Sequence, residues 1–347
     1  MTAFDETVRE LCTLHGKHGY RLAPALVRGS PGTQVKVVFD RRVFETPIIA
    51  LPSVRLGDRG PTDRFASGSP DKPQRLAATL TAIDELCARH PMGQHVLQLG
   101  DWFDVFETAA GGSVTDAISR IENVAAYQAI FRLDAKLGLS HVIGNHDACF
   151  LAQVPALRAH EPERFRLGFW VGGKVYALHG HEAELVFDSG PAADHEQRLH
   201  ALATTLAELV PGKATFCAHV EMLRISPSVK RWLQQSLGTL RADSPPESRA
   251  MDERPRPAGV VCASFVERRS GEQLLGVVRE LERLDGSRER RADVILAGHG
   301  SEAAVSWAPC GGRPVVIIDV GTWAGPQANL LIAAGDTAAV FEVRPAG

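Results

Sequence analysis

Four short stretches of this 347-residue chain carry side chains able to do chemistry. They are Asp101 and Asp104 in GDWFD, Asn145-His146-Asp147 in GNHD, His179 and His181 in HGHE, and His299 in GHGS. Carboxylate, amide and imidazole groups together form a donor set for a divalent transition ion. A histidine among them can also pass a proton to a leaving oxygen. Each stretch alone has an ordinary explanation, since an aspartate after glycine commonly caps a helix and a histidine at a strand end is commonly a satisfied core residue. Taken together they form a series, because every one follows an apolar run and sits beside a glycine that lets the backbone turn.

The elements that must position these groups are legible around them. Val35–Phe39 and Thr46–Leu51 are β-branched apolar runs separated by Asp40-Arg41-Arg42, and their pattern predicts a pair of strands. Leu76, Leu80, Ile83 and Leu86/Cys87 recur at helical spacing and predict a helix over 73–89. A short strand, His95–Leu99, leads into Gly100-Asp101. A helix from about Val114 to Leu137 then precedes the strand Ser140–Ile143, which ends at GNHD. Gly172-Gly173 divides two β-like segments before His179 and predicts a hairpin. Residues 183–291 have a mostly helical pattern, interrupted by a Pro-, Ser- and charge-rich loop at 241–259. Strands return at Ala292–Ala297 before GHGS, around Val305, at Val315–Val320, and near Ala338–Val343. The alternation indicates an α/β protein whose strand ends carry the chemistry.

In order and spacing the series resembles the calcineurin-like metallophosphoesterases, whose motifs run DxH, GDxxD, GNHD/E, HGH and GHxH. GDWFD (100–104) and GNHD (144–147) match in full, HGHE (179–182) matches well, and VGTW (320–323) is similar to the family's terminal strand segment. The resemblance covers roughly residues 46–182 and 292–345. It implies a single domain over 1–347, a two-sheet α/β sandwich flanked by helices, with 183–291 as a helical insertion able to cap the site. It also implies hydrolysis of a phosphate ester by water on a metal ion. Asp101, Asn145, His179 and His299 would hold that ion, with His181 as the alternative to His179. His146 would serve the leaving group, held by Asp147 or Asp104. Manganese, iron or zinc suits such a mixed oxygen and imidazole set.

The chain departs from the family pattern in a sorted way. Ser53-Val54-Arg55 stands where DxH is expected, and Gly298-His299-Gly300-Ser301 where GHxH is expected. Ser53, Arg55 and Ser301 thus replace three ligands of one metal, while the second metal's set is kept. Arg55 could supply a fixed positive charge and a planar fork for phosphate, but an always-protonated guanidinium cannot acidify water. The alternative is an Arg55–Asp101 ion pair that keeps metal out and leaves a non-catalytic ligand-binding or scaffolding protein. Substitution of the lost ligands by Asp58 or Asp40 has less support in the spacing. Trp102 and Phe103 are expected to pack beneath the site.

The bulk composition narrows the field further. With 38 basic and 41 acidic residues the net charge is −3, so no global field favours nucleic acid or anionic lipid. Six scattered cysteines with no CxxC pair fit a reducing compartment. The polar start MTAFDETVRE and the absence of a run of roughly 20 apolar residues predict a cytoplasmic protein with no membrane span. No GxxxxGK[ST] loop or GxSxG elbow is present, which disfavours a P-loop NTPase and a serine hydrolase. The resemblance implies a phosphate-containing substrate or ligand as the partner.

Overall fold

The computed structural model describes residues 1–26, 32–59, 63, 65, 69–91, 93–104, 114–144, 146, 165–166, 168–180, 260–263, 292–300, 302–310, 313–324 and 327–347. Most of the expected insertion at 183–291 lies outside the described residues. Two sheets and a flanking helical layer make up the fold.

Among the described residues the larger sheet contains nine strands. They are β1 (Tyr20–Pro24), β2 (Lys36–Phe39), β3 (Phe44–Leu51), β4 (His95–Gln98), β5 (Ser140–Val142), β6 (Phe165–Arg166), β9 (Val260–Ala263), β13 (Asn329–Gly335) and β14 (Thr337–Pro345). Their order is β6-β5-β4-β3-β13-β14-β2-β9, with β1 also paired to β14. β3, β4, β5 and β6 run parallel, and the rest of the pairings are antiparallel. The smaller sheet has the order β11-β12-β10-β8-β7. Its strands are β7 (Gly168–Val171), β8 (Val175–Leu178), β10 (Val294–Ala297), β11 (Ala304–Cys310) and β12 (Arg313–Asp319). β8, β10 and β12 are parallel neighbours.

Side-chain alternation builds the layers. In β3, Ile48 and Ala50 face the smaller sheet, while Ile49 and Leu51 face the helices. In β10, Val294 and Leu296 enter the space between the sheets, and Ile295 and Ala297 join a separate buried cluster with Tyr176, Leu178, Val315 and Ile317. All four β10 side chains are buried, which is why this strand is a continuous apolar run in sequence. The helical layer consists of α1 (Ala3–Lys17), α2 (Lys72–Arg89), α3 (Val114–Glu122) and α4 (Gln128–Leu137). Leu11, Leu14, Leu76, Leu80, Ile83, Leu86, Ile121 and Ile130 supply its inner face.

The structure corrects three sequence expectations. Val35–Phe39 and Thr46–Leu51 do form strands but do not pair with each other, because the C-terminal hairpin β13–β14 lies between them. The helix over Val114–Leu137 is two helices joined by a 3₁₀ turn at Ala125–Tyr127. Asn123 Nδ2 donates to the Ser119 carbonyl at 2.8 Å and Val124 is extended, so the helix stops and buried Tyr127 turns inward. Within the region read as mostly helical, Val260–Ala263 is a strand on β2. Among the described residues, no helix is long and apolar enough to cross a membrane.

Candidate metal centre

The chemistry-bearing residues follow the carboxyl ends of parallel strands from both sheets. Ser53 and Arg55 follow β3, Asp101 and Asp104 follow β4, and His146 follows β5. His179 follows β8, and His299 follows β10. Such ends are where open α/β sheets place ligands. Backbone hydrogen bonds join the two sets of loops. The Ser53 amide donates to the Gly298 carbonyl at 3.1 Å, and the Trp323 amide and Thr322 Oγ1 donate to the Ser53 carbonyl at 2.6 and 3.1 Å. The Val54 and Arg55 amides both donate to the Asp101 carbonyl, at 3.1 and 2.7 Å.

This crossing is held in unusual backbone. Asp101 and Arg55 have φ of 54° and 62°, left-handed values that cost a non-glycine residue about 1 kcal/mol or more. Gly100, with φ of 90°, precedes Asp101 because an added Cβ would stand 2.2 Å from His179 Nδ1. At Gly144 a Cβ would stand 2.1 Å from Asp101 Oδ1. The glycines of GD and GN therefore admit the neighbouring site residues into space that side chains would occupy.

Asp101 is the hub. Its carboxylate is fully buried. Oδ1 accepts the His146 amide at 2.8 Å. Oδ2 accepts Ser53 Oγ at 3.1 Å and Arg55 Nε at 3.2 Å, and lies 3.3 Å from His179 Nε2. Burial alone would raise this carboxyl's pKa. With no ion bound, a protonated His179, then His146 and Arg55, would outweigh burial and hold it well below the usual carboxylate range.

The other side of Oδ2 has the character of a cation site. His179 Nδ1 lies 2.7 Å from the Leu99 carbonyl, to which only a protonated nitrogen can donate. In neutral His179, Nε2 is then a lone pair facing Asp101 Oδ2. His299 Nδ1 stands 3.0 Å from the same Nε2. With Nδ1 of His299 also unprotonated, three electron-rich atoms converge, and a shared cation would satisfy all three. Two donors about 2.1 Å from one ion, at tetrahedral or octahedral angles, are separated by about 3.0–3.4 Å, which matches both short separations. Asp101, His179 and His299 form a group able to hold a metal ion, with all ligand atoms within 4.8 Å of one another.

His146 is buried, and its Nδ1 lies 2.9 Å from Asp104 Oδ1. Of the two carboxylates considered as its holder, Asp104 is in place; Asp147 lies outside the described residues, as do Asn145, His181 and Ser301. Neither Asp58 nor Asp40 belongs to the metal-capable group, and Asp58 Oδ2 lies 3.3 Å from Arg120 Nε. Trp102 is fully buried in the helix–sheet core. Sequence reasoning did not find two supporting residues. Gln98, at the end of β4, bonds the backbone of both the Asp101 and the Ser53 loops. Asp319, at the end of β12, accepts the Gly300 and Gly321 amides and so fixes the peptide after His299. Their only sequence signal is a polar residue at the end of a buried strand.

No family model matches the chain, and no curated protein matches it. Among solved structures the chain is similar to TT1561 of Thermus thermophilus, at 13% identity over 84% of this chain and 99% of that one. The TM-score is 0.32, and a likeness that loose carries no argument about function.

Proposed function

We propose that this protein is a metal-dependent phosphoesterase of the calcineurin-like kind, acting on a phosphomonoester or phosphodiester at a site that holds one divalent transition ion. The observation that carries the proposal is the convergence of Asp101 Oδ2, His179 Nε2 and His299 Nδ1, with the His179 tautomer set by Leu99. Asn145 is the proposed fourth donor from the protein. Manganese, iron or zinc held there would supply Lewis acidity toward water and phosphate oxygens.

The remaining roles fall to the chain's own groups. His146, oriented through Nδ1 by Asp104, is left with Nε2 to hold or deliver a proton at the leaving oxygen. Arg55 engages Asp101 through Nε, and its two terminal nitrogens provide a planar fork for phosphate oxygens. A divalent ion with one aspartate ligand carries the same net charge as an arginine beside a serine. The Ser53 and Arg55 replacements, measured against the DxH pattern, therefore leave the site's charge balance unchanged. That equality supports Arg55 as a stand-in for the first metal.

The buried Arg55–Asp101 pair also supports a second reading, a non-catalytic protein in which the arginine excludes metal. Metal content separates the two. The phosphoesterase should purify with about one equivalent of Mn, Fe or Zn, hydrolyse a generic aryl phosphodiester, and lose both properties on His299→Ala. Metal-free protein that stays inactive after reconstitution with each ion would sink the first reading.

A further inference from the structure

Three polar side chains beneath the cleft are not used by the chemistry above. Gln98 ends β4, His141 lies in β5, and Asp134 lies in α4; Gln98 and His141 are fully buried. Gln98 Nε2 donates to the Gly100 carbonyl at 2.6 Å and to the Pro52 carbonyl at 3.2 Å. Gln98 Oε1 accepts the Gly100 amide at 3.2 Å and faces His141 Nδ1 at 3.4 Å. His141 Nε2 faces Asp134 Oδ1 at 2.9 Å, and the imidazole packs edge-on against Trp102.

Both donors and one acceptor position of the Gln98 amide are engaged by backbone groups, and His141 Nδ1 faces the other acceptor position. Rotating the amide by half a turn would set its oxygen against two carbonyls, so only one orientation serves. Through that orientation a single side chain grips two loops. It holds both the amide and the carbonyl of Gly100, next to Asp101, and the carbonyl of Pro52, next to Ser53. Two consecutive residues there, Gly100 and Asp101, have positive φ. Such backbone persists where its surroundings over-determine it. Three of the Gln98 partners are backbone groups that no substitution removes, so an apolar residue here would leave the amide and carbonyl of Gly100 and the carbonyl of Pro52 without this partner. The polar set therefore bears on the geometry of both loops.

We propose that Gln98, oriented by His141 and Asp134, is a positioning residue that keeps the carboxylate of Asp101 and the Ser53–Arg55 loop in one register. In its effect on metal this rests on the metal-dependent reading above. The test uses the full chain titrated with Mn²⁺ alone. Gln98→Glu keeps the shape but loses both donors, and Gln98→Leu loses every bond. Each should weaken Mn²⁺ binding about 10- to 100-fold, the usual cost of losing a group that orients a ligand. Leu80→Ala, in the helix–sheet core, lowers thermal stability without touching either loop and should keep wild-type affinity.

Wild-type affinity in the Gln98 variants, or an equal loss in Leu80→Ala, would overturn the proposal. If the wild-type chain binds no Mn²⁺, the metal reading fails by itself and amide hydrogen exchange decides the positioning role. Exchange at Gly100 should then be faster in Gln98→Leu than in Leu80→Ala, and equal protection counts against it. His141→Phe keeps a ring against Trp102 and removes Nδ1. It should move the same readout by a smaller factor and add little to Gln98→Leu, whereas full additivity would remove His141 from the relay.

Discussion

At the scale of single residues, Arg55 is where the two proposed readings part. Its Nε and Ser53 Oγ both reach Asp101 Oδ2, the oxygen that also faces His179 and the candidate ion. In the proposed phosphoesterase Arg55 would therefore compete with the metal for one oxygen while supplying charge for phosphate. Arg55→Met should separate those effects. Removing the competing cation should tighten metal binding, measured by titration. Losing a charge-assisted contact of about 1.5–3 kcal/mol should lower kcat/KM by about 10- to 100-fold, mainly through KM. Unchanged KM would mean that the guanidinium never touches substrate. The residue types of the site were legible in sequence because metal donors beside glycines are rare and ordered. The supports were not, since Gln98 and Asp319 act through backbone groups and His141 through Gln98, none of which a motif displays.

At the scale of elements, apolar periodicity identified α2 and most strands, and failed where its physical basis failed. β13 (Asn329–Gly335) is buried on both faces except at its last residue, so it shows no alternation, and no strand was expected there. The pairing of β2 and β3 was misjudged because nearness in sequence does not say that a later hairpin will come between them. Helix α1 begins with a reciprocal cap between Thr2 and Asp5 and buries His15. His15 Nδ1 donates to the Leu11 carbonyl at 2.8 Å, and Nε2 has no hydrogen-bond partner among the described residues. Burial lowers its pKa from 6.5 to about 4. Above pH 6.5 the imidazole is neutral in both states and contributes no pH dependence. Between pH 6.5 and 4 the unfolded chain takes up a proton that the folded chain refuses, so stability falls as the pH falls. A shift of this size corresponds to about 3 kcal/mol. Urea unfolding should show His15→Leu losing that much less stability than wild type across the interval, and parallel curves would contradict the neutral burial of His15.

At the scale of the whole molecule, the site joins the two sheets. Asp101 follows a strand of the larger sheet, and His179 and His299 follow strands of the smaller one. Without an ion, the sheets are connected at this end by the bonds of Ser53 to Gly298, Thr322 and Trp323 and of His179 to the Leu99 carbonyl, among others, while apolar side chains pack between their faces. An ion bound to donors from both sides would act as a clip that exists only in the folded state. Its contribution follows mass action, about 2.7 kcal/mol at a free concentration one hundred times Kd. Melting in chelator and in saturating Mn²⁺ should therefore differ by several degrees for the wild-type chain. Asp101→Asn removes the larger sheet's carboxylate and His299→Ala one of the smaller sheet's two imidazoles, and each alone should abolish the difference, because the donors that remain are too few to hold the ion. A metal-dependent increment that survives Asp101→Asn would show that the ion does not need the larger sheet's carboxylate. In that case the join between the sheets would depend on the Ser53 crossing, the His179–Leu99 bond and the shared core.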